Sequence, residues 1–306
     1  MTASSGGGGA EGREGLPPPL RGIGPRRGPT GETGAGPTGR GGEHPPPPLV
    51  RVAAHPPFTG EGVFVRIRDL PSPNQDVRPD GVPIDALILH YTGMQTAQAA
   101  IDRLRDPAAH VSSHYVVDED GTVLRLVPEA RRAWHAGVSY WRGNTELNSR
   151  SIGIEIVNPG HEWGYREFPV LQLAAVCDLC LEILSRHAIP ARNIVAHSDV
   201  APDRKEDPGE KFDWEGLARN GVGLWPEDVP DVGTGGAARD AARLRGVRRV
   251  LGEIGYRVAP EGPLDPALAA VLRAFQRHWR PEEVTGQADA GTLARLLGVA
   301  RLVGIK

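Results

Sequence analysis

The sequence predicts an α/β or α+β domain over roughly residues 60–220, followed by a small all-helical unit. Three observations carry that expectation. Short apolar or alternating runs with strand character are interleaved with longer runs of helical period between Ala86 and Ala196. A Gly, Pro and acid-rich stretch, Asn220–Gly236, interrupts the pattern. Beyond it, every periodic segment is helical.

Ala86–Leu89 (ALIL) is a short apolar run ending at His90 and predicts a buried strand. Thr96 is placed to cap a helix to about Arg105, with Ala99, Ala100, Ile101 and Leu104 as its apolar positions. His114–Val117 and Thr122–Val127 flank Asp118-Glu119-Asp120-Gly121 and predict a hairpin. Ser151–Val157 (SIGIEIV) alternates and predicts a strand. Pro169 opens a helix to about His187, with Leu173, Val176, Cys177, Cys180 and Leu184 on one face. Ile194–Ala196 is a last short strand, ending at His197. In the C-terminal part, Leu244, Val247, Leu251 and Ile254 share a helical face; Asp265-Pro266 caps a second helix through Trp279; Asp289 caps a third through Leu297.

Composition narrows the function classes. Against 38 acidic residues stand 35 Lys and Arg, a net charge of -3, which lacks the basic excess of a nucleic-acid binder. Two cysteines exclude a disulfide-dense scaffold and a four-cysteine zinc site. No apolar run approaches the length of a transmembrane helix. Residues 1–50 hold 15 Gly and 10 Pro, so residues 1–48 are expected to be a disordered tail. That tail has no basic start and no apolar stretch of the kind a secretory signal carries. The expected organisation is therefore a tail over 1–48, a catalytic domain over 49–226, a linker over 227–237 and a three-helix domain over 238–306.

The chemistry is expected at strand ends. His90 and His197 each close a strand, and Asp207 follows His197 by ten residues in a turn-rich loop. Two imidazoles and a carboxylate are a donor set for zinc with a fourth position left for water. On residue types alone, two ordinary strand-end histidines and a turn former before Pro208 are the simpler reading. Along SIGIEIV, Gly153, Glu155 and Val157 share one face and three isoleucines the other, so Glu155 faces something polar, which includes plain solvent. Cys177 and Cys180, three apart on the apolar face of one helix, are expected to be core.

At five blocks the chain resembles the zinc-dependent N-acetylmuramoyl-L-alanine amidases of type 2, on their AmiD and AmpD-like branch. The blocks are LILHYTGM at 87–94, SSHYVVDEDGTVLRLVPE at 112–129, AWHAG at 133–137, SIGIEIVNPG at 151–160 and HSDVAPDRKEDPG at 197–209. The resemblance implies a mixed β-sheet flanked by helices, with zinc at one end of the sheet. It makes His90, His197 and Asp207 the metal ligands, Asp207 standing where phage relatives often carry cysteine. It makes Glu155 the general base and Lys205 the cation that stabilises the oxyanion. His114, Trp134 and His135 become candidate substrate contacts, with Tyr140, Trp141 and Asn148 as weaker ones. Phage relatives carry a tyrosine one place before His114; here Ser113 stands there.

The last 65 residues resemble a peptidoglycan-binding domain of type 1, through RRVLGEIGYRV at 248–258, ALAAVLRAFQRHW at 267–279 and ADAGTLARLLG at 288–298. Together the two resemblances imply hydrolysis of the amide between N-acetylmuramic acid and L-alanine in peptidoglycan or muropeptides. The implied cofactor is Zn2+, with no nucleic-acid partner and no transmembrane segment. A catalytically silent peptidoglycan recognition module is the alternative. The substrate points to the cell envelope and the unremarkable N-terminus to the cytoplasm, so both compartments stay open. The Gly-rich linker Gly233-Thr234-Gly235-Gly236 leads us to expect a helical unit that moves with some independence, as a tethered binder would.

Overall fold

The structure, a computed structural model, describes residues 66–227 and 241–305. The expected tail over 1–48, residues 49–65 and most of the expected linker lie outside the described residues.

Six strands form one mixed sheet: β1 (Arg66–Asp69), β3 (Ala86–Tyr91), β4 (Tyr115–Val117), β5 (Thr122–Arg125), β7 (Ser151–Ile156) and β8 (Ile194–Ala196), in the order β1-β5-β4-β7-β3-β8. Only β4 and β5 run antiparallel, as the expected hairpin. Two further strands, β2 (Gln75–Val77) and β6 (Arg131–Ala133), pair apart from the sheet. The sequence signals of β1, β2 and β6 are weak because each is short and rich in charge. Cross-strand pairs hold them instead: Arg125 chelates Asp69 from the opposite position, and Arg132 meets Asp76 on the shared rung.

The helices are α1 (Ala97–Arg105), α2 (Leu147–Arg150), α3 (Gly160–Trp163), α4 (Val170–Arg186), α5 (His197–Val200), α6 (Trp214–Arg219), α7 (Ala241–Ile254), α8 (Pro266–Trp279) and α9 (Ala290–Leu302). N-caps start three of them where the sequence indicates. Thr96 accepts from Ala99 N, Asp265 from Leu268 N and Asp289 from Thr292 N.

One face of the sheet is apolar throughout. Leu87, Leu89, Ile152, Ile154, Ile156 and Val117 pack against α4, including Cys177 and Cys180. Burial pushes the Cys177 thiol up to about 12 and the Cys180 thiol well above its ordinary value, as expected of core cysteines rather than reactive ones. Gln172 donates to the carbonyls of Val117 and Val157, which pins α4 to the ends of two strands.

The other face is divided. Ile101 and Leu104 of α1 cover Val116 and Leu124 at one side. At the other side α7, α8 and α9 cover Ile88 of β3, Val195 of β8 and Val200 of α5, in one cluster with Ala136, Trp141 and Leu147. Between these two apolar patches lies a polar strip of His90, Gly153 and Glu155, and Glu155 lines the cleft.

This arrangement corrects the expectation of a loosely tethered helical unit. The three helices bury part of the sheet and the turn beside it: Ile88 of β3, Val195 of β8 and Val200 of α5 are at most 2% exposed beneath them. Burying such side chains stabilises by roughly 1.5–3 kcal/mol each, so the unit is held by the same forces as any core layer. The Phe275-Gln276 pair, the strongest sign of the peptidoglycan-binding resemblance, acts internally. Gln276 donates to Thr285, Thr292 and the Gln287 carbonyl and accepts from the amides of Thr285 and Gly286, which knits α8 to the start of α9.

Candidate active site

His90 is the penultimate residue of β3 and His197 follows β8, the neighbouring strand, so both imidazoles emerge at the same end of the sheet. The loop after α5 folds back, with Ser198 N donating to Asp207 O, and brings the third residue beside them. His90 Nδ1 lies 2.9 Å from His197 Nδ1, and each is 3.0 Å from Asp207 Oδ2. All three residues are buried.

The protonation of these groups shows what they can hold. Burial, then the neighbouring His197, lowers the His90 imidazole to about 4, so it is neutral near pH 7. Burial works against the Asp207 carboxylate, but the facing His197 and His90 outweigh it and hold it well below the usual carboxylate range. His197 Nε2 is 3.2 Å from the Ala136 carbonyl, to which it donates, leaving the Nδ1 lone pair inward. Three acceptors thus converge on one point. Ligands at tetrahedral corners ~2.0 Å from a metal stand roughly 3.3 Å apart, close to the spacing seen here. The residues fit a metal ion.

A second row orients the first. His90 Nε2 is 3.0 Å from His135 Nδ1, and His135 Nε2 is 3.2 Å from Ser151 Oγ, whose hydroxyl donates to Leu147 O at 2.6 Å. The chain of donors runs outward from His90, which leaves its Nδ1 free for a metal. A Cβ on Gly153 would stand 2.5 Å from the His135 ring, so His135 occupies space that only glycine leaves open. Asn148 Oδ1 accepts from the amides of His135 and Ala136 and fixes the AWHAG turn.

Glu155 lies beside the ligands in the wall of a cleft of about 430 Å³ that also exposes Lys205, Trp134, Tyr91 and Arg103. Burial, then the Asp207 charge, pushes the Glu155 carboxyl well above its ordinary value, opposed by Lys205. Its Oε2 is buried without a hydrogen-bond partner. A second hollow of about 430 Å³ shares Thr92, Gly93, Met94 and Arg103 with the cleft and extends it to Trp163.

Four of the sequence-based candidates fall elsewhere, Asn148 among them in its bonds to the AWHAG turn. His114 is fully buried behind His135, accepting from Gly153 N at Nδ1 with Nε2 3.1 Å from the Arg131 carbonyl; it does not reach the cleft. Burial, then Arg78, lowers its imidazole to about 3. Trp141 packs edge-on against Tyr256, and Tyr140 lies under Arg257, so both face the C-terminal helices. The cleft residues Tyr91, Arg103 and His161 escaped sequence reasoning. Arg103 reads as the solvated side of an amphipathic helix, and only the fold turns it toward a cavity.

The family model of the N-acetylmuramoyl-L-alanine amidases matches residues 80–210, and that of a peptidoglycan binding domain matches residues 242–296. The N-acetylmuramoyl-L-alanine amidase AmiD of Escherichia coli is 38% identical over 227 residues, covering 69% of this chain and 80% of the relative. The 1,6-anhydro-N-acetylmuramyl-L-alanine amidase AmpD of Citrobacter freundii is 36% identical over 171 residues, covering 50% of this chain and 89% of the relative. The structure of the Escherichia coli AmiD in complex with anhydro-N-acetylmuramic acid-L-Ala-D-gamma-Glu-L-Lys superposes with a TM-score of 0.65 at 34% identity, over 75% of this chain and 94% of that one. AMPDH3 of Pseudomonas aeruginosa, in complex with anhydromuramic pentapeptide, gives 0.63 at 31% identity, over 73% and 94%. At 38% identity over four fifths of the Escherichia coli AmiD, the chain belongs to the N-acetylmuramoyl-L-alanine amidase family.

Proposed function

We propose that the chain hydrolyses the amide between the lactyl carbonyl of N-acetylmuramic acid and L-alanine, in peptidoglycan or in muropeptides released from it, with zinc at His90, His197 and Asp207. The observation that carries this reading is one cleft holding three convergent acceptors and, beside them, a carboxylate with an unpaired buried oxygen. Zinc bound there supplies a Lewis acid that polarises a carbonyl and acidifies water. An outward chain of hydrogen bonds through His135 and Ser151 keeps the His90 lone pair aimed inward.

Glu155 holds and moves the proton. Its raised proton affinity suits a base that takes a proton from attacking water and returns it to the leaving amine. Lys205, on the same wall, puts a positive charge where negative charge develops on the carbonyl oxygen. Trp134 offers an aromatic face, fixed by its indole N–H on Asp76, and Arg103 a cation for the peptide's carboxylates. The domain limits are proposed as catalytic over 49–226 and helical over 238–306.

The experiment is incubation of the zinc-loaded protein with a soluble anhydro-muropeptide and with intact sacculi. Release of free stem peptide with an L-alanine N-terminus is expected. Binding of muropeptide without release, in protein that carries zinc, would favour the silent recognition module instead.

A further inference from the structure

Asp199 and Glu206 lie between the two ligands carried by one segment, His197 and Asp207. Both are gripped by adjacent residues of α8. Asp199 is 1% exposed; its Oδ2 accepts from Ala196 N at 2.8 Å and from His278 Nδ1 at 2.6 Å, and its Oδ1 accepts from the Tyr256 hydroxyl at 2.5 Å. Arg277 pairs with Glu206, the residue before Asp207, and reaches within 3.8 Å of Glu210. The His278 ring is fixed between two indoles, Trp214 at 3.8 Å and Trp279 at 4.0 Å, with interplanar angles of 23° and 4°.

We propose that the C-terminal helical unit is a positioning element for the metal centre, with Arg277, His278 and Tyr256 holding the segment 197–207 in the geometry that binds the ion. The proposal rests on the metal reading above. Its physical basis is the lever involved. His197 opens the four-residue α5, and Asp199 lies two residues on, in the same turn. A turn that short has little stability of its own. Among the described residues β8 is an edge strand of the sheet, and no further strand braces α5 from beyond it. Apolar packing on Val200 alone would dock α8, yet the contact at α5 adds a buried carboxylate, Asp199, whose bonds are all directional. Directional bonds fix rotation as well as distance, and a ligand set tolerates misplacement of only about 0.5 Å.

The test uses the full chain. His278→Phe keeps a ring between the two indoles but removes the donor to Asp199, and Tyr256→Phe removes one hydroxyl. Zinc affinity is read by chelator competition on protein shown to be folded by circular dichroism. Each variant is expected to bind zinc about tenfold more weakly, the scale seen when outer-shell partners are lost. His278→Asn, whose amide nitrogen stands near the position of Nδ1, should recover most of the affinity. Wild-type zinc affinity in folded His278→Phe and Tyr256→Phe would overturn the proposal, since packing alone would then suffice. Should those two fail to fold, Arg277→Gln leaves Asp199 paired and makes the same prediction through Glu206, with wild-type affinity again the overturning result. His197→Ala runs alongside. If it keeps zinc, the ligand assignment fails and the proposal with it; if it loses zinc while the α8 variants do not, the positioning role alone fails.

Discussion

His90 and Glu155 occupy the same rung of the parallel pair β3–β7. In a parallel pair, residues on one rung point to one side of the sheet. A metal-ligand histidine and a carboxylate therefore reach the same cleft without any loop placing them, and the base's position is as rigid as the sheet. Leu89 and Ile154, one residue back on each strand, face the opposite side and are fully buried against the α4 core.

One zinc per chain is expected, bound at His90, His197 and Asp207. Elemental analysis of His90→Ala and His197→Ala should show loss of the metal from folded protein. Full occupancy in both variants would place the ion elsewhere.

Glu155→Gln should keep zinc and lose turnover by about 10²–10⁴-fold, the usual contribution of a general base. Glutamine fills the same space but cannot take a proton. Steady-state hydrolysis of a soluble muropeptide reads the effect; a rate near that of the wild type would move the base to another residue.

Gly153→Ala should weaken zinc binding without touching a ligand. Its new Cβ would meet the His135 ring at 2.5 Å, and His135 is the partner of His90 Nε2. A drop of about 10–100-fold in zinc affinity is expected. Competition with a chelator checks it, and an unchanged affinity would mean that His135 does not orient His90.

Acid should unfold part of this protein through Glu129. Burial raises its carboxyl, but hydrogen bonds from Arg186, His187 and Tyr115 outweigh that and hold it at about 2, against an ordinary 4.5. A carboxyl depressed in the folded state adds stability above its unfolded value, and that stability is lost as the pH falls toward the folded one. Glu129→Gln should therefore cost on the order of 2 kcal/mol near neutral pH and almost nothing near pH 2. Urea unfolding across that range measures it; a difference that grows toward low pH would contradict the assignment.

Removing residues 238–306 should destabilise the remainder rather than merely release an anchor. The truncation uncovers Ile88, Val195, Val200 and Trp141, each worth roughly 1.5–3 kcal/mol when buried. Thermal melting followed by circular dichroism should show a lowered transition or none. A melt identical to that of the full chain's sheet domain would restore the picture of a tethered binder.

Much of this molecule was legible in the chain itself. Strand ends are visible where an apolar run stops, so His90 and His197 stood out before any fold was known. The alternation of SIGIEIV separated Glu155 from its three isoleucines, and all three do pack against α4. Asp and Thr caps marked the helices because a capping bond is local, spanning three residues. Charged strands such as RIRD and RRA carry no such local signal; they exist because a distant strand offers an edge and an opposite charge.

What only the tertiary structure decided is which groups meet across large separations. Sequence read His114 as a cleft residue because its block matched, but the fold seats it behind His135, where β4 and β7 close over it. Sequence read a Gly-rich connection as freedom for the last three helices. A linker's composition describes the linker, whereas freedom depends on the surfaces it joins, and here those surfaces are Ile88 and Val195 on one side and Leu251 and Phe275 on the other. The bond between Asp199 and His278 spans 79 residues of chain. No periodicity or motif encodes such a pair, because its energy exists only once two separately formed elements have packed and excluded water from between them.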